Sequence, residues 1–322
     1  MQHNLSAYRN EIKGIAILWV IFFHAQLGLS GVVRAVQQIG YGGVDMFLFL
    51  SGFGLYHSLE KDADIGRYLT RRAVRILPAY APFCLVWLAV MIPLYGGGMA
   101  TSIRIAAGNL TMLGFFADVP LMINWYVSAL ALTLLIAPLI HAHLRTHKGF
   151  GLLAGLFLLG LAFIGNDMYM AISRLPVFAL GMMFARPCEK KGKGIGGLLS
   201  VGCVLGLVVL YVCHTRFAEL LNDYAMYWHP FVLIAPAMCM GLGWLFSHLP
   251  KNVLAPLRVL GEASFEVFLF NVWLEVLGKK YGLCEKPVDW LLGSAIALAA
   301  GLIYHCAVSA AVKRMRKNPK NG

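Results

Sequence analysis

Residues 12–29 read IKGIAILWVIFFHAQLGL, and this run decides the fold class. It approaches the ~20 apolar residues that a helix needs to cross the ~30 Å hydrocarbon core of a bilayer. It is longer than the apolar core of a secretory signal, and no small-residue cleavage site follows it. We therefore expect residues 12–29 to form a first transmembrane helix.

The same kind of run recurs along the chain. Nine further runs lie at residues 42–59, 76–95, 123–141, 150–166, 172–185, 197–213, 227–247, 260–278 and 288–311. The chain is 59% hydrophobic and 13% charged, whereas soluble domains are about 45–50% apolar and about 25% charged. These values predict an all-α integral membrane protein with about ten transmembrane helices in a single domain, 1–322, with no appended soluble domain. They exclude a disordered chain, a coiled coil and an ordinary cytosolic enzyme.

The basic residues predict the orientation of these spans. If the N-terminus is cytoplasmic and the spans alternate, 20 Lys and Arg residues fall in inner segments and 7 in outer ones. Cytoplasmic loops of membrane proteins carry such an excess, so both termini are expected in the cytoplasm. The net charge of +12 then indicates topology and contact with membrane lipids rather than nucleic acid. The basic run 313–320 is expected to anchor the inner leaflet.

No metal site or disulfide is expected. The seven cysteines lie mostly inside apolar runs, without CxxC or Cys/His ligand spacing. His141, His143 and His147 fall in a basic inner segment without a matched carboxylate, and we expect them to be solvated.

His24 is the first candidate for chemistry, because ionisable groups inside a membrane span are costly. It follows Lys13 by eleven residues, which is within about 20° of three full helical turns. The two side chains should share one stripe, with the lysine at the inner interface and the histidine deep. Packing of the histidine and anchoring by the lysine are the structural alternatives.

Asp45 opens the second predicted span at a depth similar to that of His24. A carboxylate beside a buried imidazole orients it and stabilises its protonated form, as a general base requires. We therefore expect Asp45 to hold His24. An N-terminal helix cap is the structural alternative for Asp45.

Arg71, Arg72 and Arg75 precede the third span and point roughly one way on a helix. Guanidinium groups clustered at the inner interface suit polyanionic phosphate. The alternative is that they only set topology and bind lipid headgroups.

Four stretches resemble the acyltransferase family 3 membrane proteins, which O-acylate bacterial surface carbohydrates. Residues 13–24 resemble the family's first helix, where an Arg-Gly pair precedes a histidine by eleven residues. Residues 43–53, GVDMFLFLSGF, are similar to its GVDxFFxLSGF signature. Residues 72–78 resemble its RxxRIxP motif, and residues 173–181 resemble its later R-x-x-x-F-x-x-G helix.

The sequence also departs from the family. Lys13 replaces the usual Arg, which keeps the charge but loses the bidentate fork. Leu130 follows Trp125 at the position where many members have a Glu, and Asn271 stands where many have a His. Five residues are expected to line the pocket or the acceptor path: Ser51, Trp125, Arg174, Glu266 and Asn271.

The resemblance implies a bacterial inner-membrane O-acyltransferase without a permanent cofactor. Its donor would be acyl-CoA, most often acetyl-CoA, and its acceptor a hydroxyl of a cell-envelope or secreted glycan, free or lipid-linked. The donor phosphates would bind Lys13, Arg72 and Arg75, with Arg71 beside them. His24 would deprotonate the acceptor, and an acyl-histidine intermediate stays open. Assembly into a homo-oligomer is also left open.

Two other functions compete with acyl transfer. A proton-coupled transporter or glycan flippase could use the buried His, Asp and Glu as a proton relay, although no paired half-sequence repeat is evident. A non-catalytic scaffold or receptor would tolerate substitution of His24. Dependence on acetyl-CoA separates the transporter from the enzyme, and substitution of His24 separates the scaffold.

Overall fold

The computed structural model describes residues 2–187, 195–217 and 229–317, and within these ranges all regular structure is helical. One 3₁₀ helix, Gly114–Ala117, joins fifteen α-helices. The α-helices are α1 Gln2–Ala7, α2 Arg9–His24, α3 Gly31–Gln38, α4 Gly42–Lys61, α5 Ile65–Tyr95, α6 Met99–Leu110, α7 Trp125–Thr146, α8 Phe150–Ala162, α9 Tyr169–Ile172, α10 Leu175–Ala185, α11 Ile195–Arg216, α12 Phe231–Phe246, α13 Lys251–Glu262, α14 Ser264–Lys280 and α15 Pro287–Lys317.

Each of the ten predicted spans overlaps a helix, but four helices were not predicted. These are α1, which precedes the first apolar run, α3 and α6, which lie between runs, and α13, which overlaps the ninth run only at residues 260–262. Three described helices, α5, α7 and α15, are long and apolar enough to cross a membrane, and α8 and α12 are shorter apolar helices. Ten crossings and cytoplasmic termini remain predictions. Cys188 and the basic residues Lys190, Lys191 and Lys193, which entered the orientation count, lie outside the described residues.

The first predicted span is shorter than the sequence suggested. Helix α2 ends at His24, because Ala25 adopts an extended conformation and Gly28 has a left-handed φ of 63°. Sixteen residues make a helix about 24 Å long. His24 is therefore the last residue of its helix rather than a residue inside a longer one.

Helix α4 lies at the centre of the bundle and packs on α2, α7, α10 and α12. Its closest neighbour is α10, and the two helices approach each other at one glycine from each of two sequence motifs. A Cβ added at Gly52 would overlap the carbonyl oxygen of Phe178, and one added at Gly181 would overlap that of Phe49. Small residues allow such close backbone approach. The motif glycines thus hold α4 against α10.

Helix α13, which the sequence did not predict, packs along α2. A Cβ at Gly14 would overlap the carbonyl oxygen of Leu257 on α13. Arg258 donates to Glu11 Oε1 from Nε at 2.8 Å and from Nη2 at 2.6 Å, and Glu11 is fully buried. This close contact fixes the half of α2 that carries Lys13.

Candidate functional site

A cavity of about 960 Å³ opens between α2, α4, α5, α7, α13, α14 and α15. Basic side chains gather at one end of it, which we call the basic end. They are Arg9, Lys13, Arg71, Arg72, Arg75 and Lys313. The four predicted donor-binding residues therefore line one cavity, and Arg9 joins them from the first turn of α2.

The cations of the basic end are largely unneutralised. Arg9, Lys13 and Arg75 form no ion pair with any described residue. Arg72 donates from Nη2 to the hydroxyl of Ser58 at 2.6 Å, and its buried Nε has no hydrogen-bond partner in the described part of the chain. The cavity wall also holds the carboxylates of Glu262 and Glu266, but Glu266 pairs with His305 and Glu262 accepts from Asn10. Unpaired positive charges that share a cavity repel one another, so an anion bound there would relieve the repulsion.

Arg71 differs from its two neighbours. Its Nη1 donates to Asp62 Oδ2 at 2.7 Å, and Asp62 also lies 3.3 Å from Arg67. The hydrogen bond from Arg71 is the main cause that lowers the pKa of Asp62, which lies in the turn between α4 and α5. Arg71 is thus committed to Asp62, and Arg72 and Arg75 are the more available cations.

His24 is paired with a carboxylate that the sequence analysis did not single out. Its Nδ1 lies 2.8 Å from Glu275 Oε2 on α14, and each side chain is about one-fifth exposed. Its other ring nitrogen, Nε2, makes no hydrogen bond with a described residue. A neutral imidazole that donates from Nδ1 to a carboxylate has a free lone pair on Nε2, which is the arrangement of a general base.

The predicted pair of Asp45 and His24 does not form. Asp45 is buried and its Oδ1 lies 3.5 Å from Nε of Arg174, which is equally buried. The guanidinium of Arg174 also lies 4.5 Å above the ring of Trp125 and donates to the carbonyl of Met170. The prediction that Asp45 orients His24 is therefore wrong, because a buried carboxylate pairs with the nearest buried cation.

Asp45 is also not the cap of its helix. It is the fourth residue of α4, whose N-cap is Tyr41 without a side-chain cap. Asp45, Trp125 and Arg174 instead form a structural cluster that joins α4, α7 and the start of α10. None of the three lines the cavity.

A second histidine–carboxylate pair lies in the cavity wall. His305 Nδ1 on α15 is 3.1 Å from Glu266 Oε1 on α14, and both residues line the cavity. Glu266 was predicted as a pocket residue, whereas His305 was missed. Both Glu275 and His305 fall inside predicted apolar runs, at 260–278 and 288–311. The cost of an ionisable group in such a run was the signal that could have found them.

Three aromatic side chains line the cavity on the side away from the basic end. The ring of Tyr126 lies 6.4 Å from that of Phe47 and 4.9 Å from that of Phe268. Helix α4 shows where these rings lie relative to the basic end. Gly54 of α4 faces Arg9 of the basic end, and Phe47 lies two turns farther toward the N-terminus of α4. We call Phe47, Tyr126 and Phe268 the aromatic barrier.

The remaining predicted residues have different surroundings. Ser51 lines the cavity. Asn271 is buried outside the cavity wall, and its Nδ2 has no hydrogen-bond partner among the described residues. His141 was expected to be solvated, but it is buried and its Nε2 lies 2.7 Å from Glu60 Oε1. Its carboxylate partner comes from α4, which the local sequence could not show.

An apolar helical bundle around a cavity lined by basic side chains is typical of a membrane protein. The comparison with known families is specific. The acyltransferase domain of acyltransferase family 3 matches residues 10–308, and the chain belongs to this family.

One relative is a protein of Acidianus two-tailed virus named "Putative acetyltransferase ORF330", which is 34% identical over 80 residues. The match covers 25% of this chain and about a quarter, 24%, of that relative. No solved structure matches the chain.

Proposed function

We propose that this protein is a membrane-bound O-acyltransferase that moves an acyl group, in the first place acetyl, from acyl-CoA to a carbohydrate hydroxyl. Family membership supports acyl transfer. The observation that carries the proposal is one cavity that gathers Arg9, Lys13, Arg72 and Arg75, with a histidine held by a carboxylate farther along α2.

Coenzyme A explains the chemistry of the basic end. Its diphosphate and its 3′-phosphate are polyanionic, and guanidinium groups recognise such oxygens with paired donors. Arg72, Arg75 and Lys13 would hold the phosphates, with Arg9 beside them. Arg71 would contribute less, because it neutralises Asp62.

The acyl end of the donor would extend along α2 from Lys13 toward His24. The two residues are eleven positions apart, which is about 16 Å along a helix axis. His24 does not line the cavity, and the aromatic barrier stands on that side. The pantetheine arm would therefore pass the rings of Phe47, Tyr126 and Phe268 before transfer.

His24 and Glu275 would carry the proton transfers. Nε2 takes the proton from the acceptor hydroxyl while the hydroxyl oxygen attacks the thioester carbonyl. The carbon–sulfur bond breaks, and the imidazolium returns the proton to the departing thiolate, which leaves as the coenzyme A thiol. Glu275 holds the ring at Nδ1 and stabilises the imidazolium. An acyl-histidine intermediate on Nε2 uses the same pair.

The basic end would lie at the cytoplasmic face of a bacterial inner membrane, where acyl-CoA is available, and the reaction would need no permanent cofactor. The acceptor would be a glycan of the cell envelope or a secreted glycan.

The test is mass spectrometry of cell-envelope and secreted glycans from cells with the gene, without it, and with His24→Gln. A matched control is His248→Gln, which changes an exposed histidine outside the cavity. We expect acyl esters with the wild type and the control only. Esters that persist without the gene, together with glycan export that depends on it, would favour a transporter.

A further inference from the structure

A second pocket lies directly beyond His24, on the side away from the basic end. It measures about 370 Å³ and is formed by Phe23 and residues 25–29, on either side of His24 in the chain, together with the polar side of α3. Its polar lining consists of Gln26, Arg34, Gln37 and Gln38. We call it the amide pocket. No other function described above uses it.

The end of α2 builds one wall of the amide pocket. Gln37 is buried and donates its side-chain amide to the carbonyl of Phe22 at 2.9 Å and to that of Ala25 at 2.5 Å. These two carbonyls flank His24. The backbone of His24 and the pocket wall are therefore tied together by one buried side chain from α3.

The lining chemistry matches a polyhydroxylated ligand. The side chains of Gln26 and Gln38 each offer two N–H donors and one carbonyl acceptor, which suits neighbouring sugar hydroxyls. Arg34 forms no ion pair with any described residue, so its guanidinium is available to a carboxylate or phosphate. Gln37 is already occupied by the helix end.

We propose that the amide pocket is the acceptor site and that Arg34 selects carbohydrates with an acidic group. Gln26 and Gln38 would bind the hydroxyls of an acidic sugar and present one of them toward Nε2 of His24. The acylation of the bound sugar rests on the proposed function, but binding of the sugar in the pocket can be measured without any acyl transfer.

The experiment measures protection of a thiol placed in the pocket. Leu27→Cys puts a thiol in the wall, and modification at position 27 by a membrane-impermeant maleimide is followed by peptide mass spectrometry, which separates it from the native cysteines. The full-length protein is held in nanodiscs of neutral lipid. The probes are methyl glucuronide, with methyl glucoside as its uncharged counterpart.

We expect methyl glucuronide to slow modification at position 27 and methyl glucoside to protect only at far higher concentration. Arg34→Gln in the same background should raise the half-protecting concentration of methyl glucuronide by about tenfold, since one charge-assisted hydrogen bond contributes roughly 1.5–3 kcal/mol and Arg34 is exposed. Arg34→Lys should restore part of the difference. Arg104→Gln, which changes an arginine bonded to backbone carbonyls elsewhere, should have no effect.

Equal protection by both sugars, no protection by either, or a response that Arg34→Gln leaves unchanged would overturn the inference. Nanodiscs with anionic phosphatidylglycerol form a second arm, because Val32 and Val33 on α3 are exposed and apolar. If this lipid protects position 27 and neither sugar does, the pocket binds a lipid headgroup, and the inference is contradicted. Saturation-transfer NMR of the two sugars with wild-type protein repeats the test without the Leu27→Cys change. Coenzyme A binding, measured in parallel, reports on the donor site separately.

Discussion

Two histidine–carboxylate pairs share helix α14, and their surroundings differ. His24 and Glu275 meet beyond the aromatic barrier, whereas His305 and Glu266 meet in the wall of the cavity. The two glutamates are nine residues apart, which puts them on opposite faces of α14 and about 13 Å apart along its axis. The helix therefore serves one site on each face.

The comparison shows that the residue types of a histidine–carboxylate pair do not by themselves identify the catalytic base. Both pairs could accept a proton, but only His24 lies between the donor cavity and the amide pocket that we propose for the acceptor. His305 lies among the residues that would surround the donor. We therefore propose catalysis for His24 and donor contact for His305.

The largest expected effect is on turnover in His24→Gln. Loss of a general base lowers the rate by about 10²–10⁴-fold. Coenzyme A affinity should stay at the wild-type value, since the proposed phosphate site lies at the other end of α2. Steady-state kinetics and coenzyme A titration of the purified protein measure both quantities. Near-normal turnover of a folded variant would remove His24 from catalysis.

Asp45→Ala should lower stability rather than act on the chemistry. It removes the buried carboxylate that lies 3.5 Å from the guanidinium of Arg174, and breaking a buried pair costs about 3–5 kcal/mol. We expect a clear fall in the thermal unfolding midpoint of the detergent-solubilised protein. Asp62→Ala, which breaks the partly exposed ion pair with Arg71 in the turn between α4 and α5, is the control. A stable Asp45→Ala variant with little turnover would return Asp45 to the catalytic site.

Arg75→Ala should weaken coenzyme A binding by about tenfold to a hundredfold, since it removes a charge-assisted interaction of roughly 1.5–3 kcal/mol. Arg75→Lys should recover part of the affinity, because lysine keeps the charge but loses the planar fork. Arg67→Gln is a matched control on the same helix, where the side chain is 70% exposed and outside the cavity. Isothermal titration of coenzyme A is the measurement. Equal dissociation constants would exclude the arginines from the donor site.

The smallest effect is expected for His305→Gln. A neutral hydrogen bond contributes about 0.5–1.5 kcal/mol, so the Michaelis constant for acyl-CoA should rise by less than about tenfold, with little change in kcat. The kinetic constants of this variant and His24→Gln are best determined from parallel preparations. A collapse of kcat in His305→Gln alone would exchange the roles of the two pairs.

The sequence predicted the local features of the site better than its contacts. Arg72, Arg75 and Lys13 could be placed together because their helical spacing and the basic segment are local properties, and they line one cavity. The partners of His24 and Asp45 come from α14 and the start of α10, more than a hundred residues away along the chain. Spacing carries no information about such contacts.

The helices that lie between the apolar runs were missed for a related reason. Helices α3 and α13 are short and amphipathic, and their polar residues read as loop. They matter nevertheless, since Gln37 of α3 holds the end of α2 and α13 packs along its other half. Packing against a neighbouring helix stabilises such segments more than their own propensity does.

The central claim is that His24 and Glu275 act as one catalytic unit, and a double-mutant cycle on turnover tests it most directly. His24→Gln, Glu275→Gln and the double variant are compared with wild type, with coenzyme A affinity as a check on the fold of each. Residues that act as a unit are strongly non-additive, so the double variant should be no slower than His24→Gln alone. Losses that multiply in the double variant would show that the two residues act independently and would contradict the account.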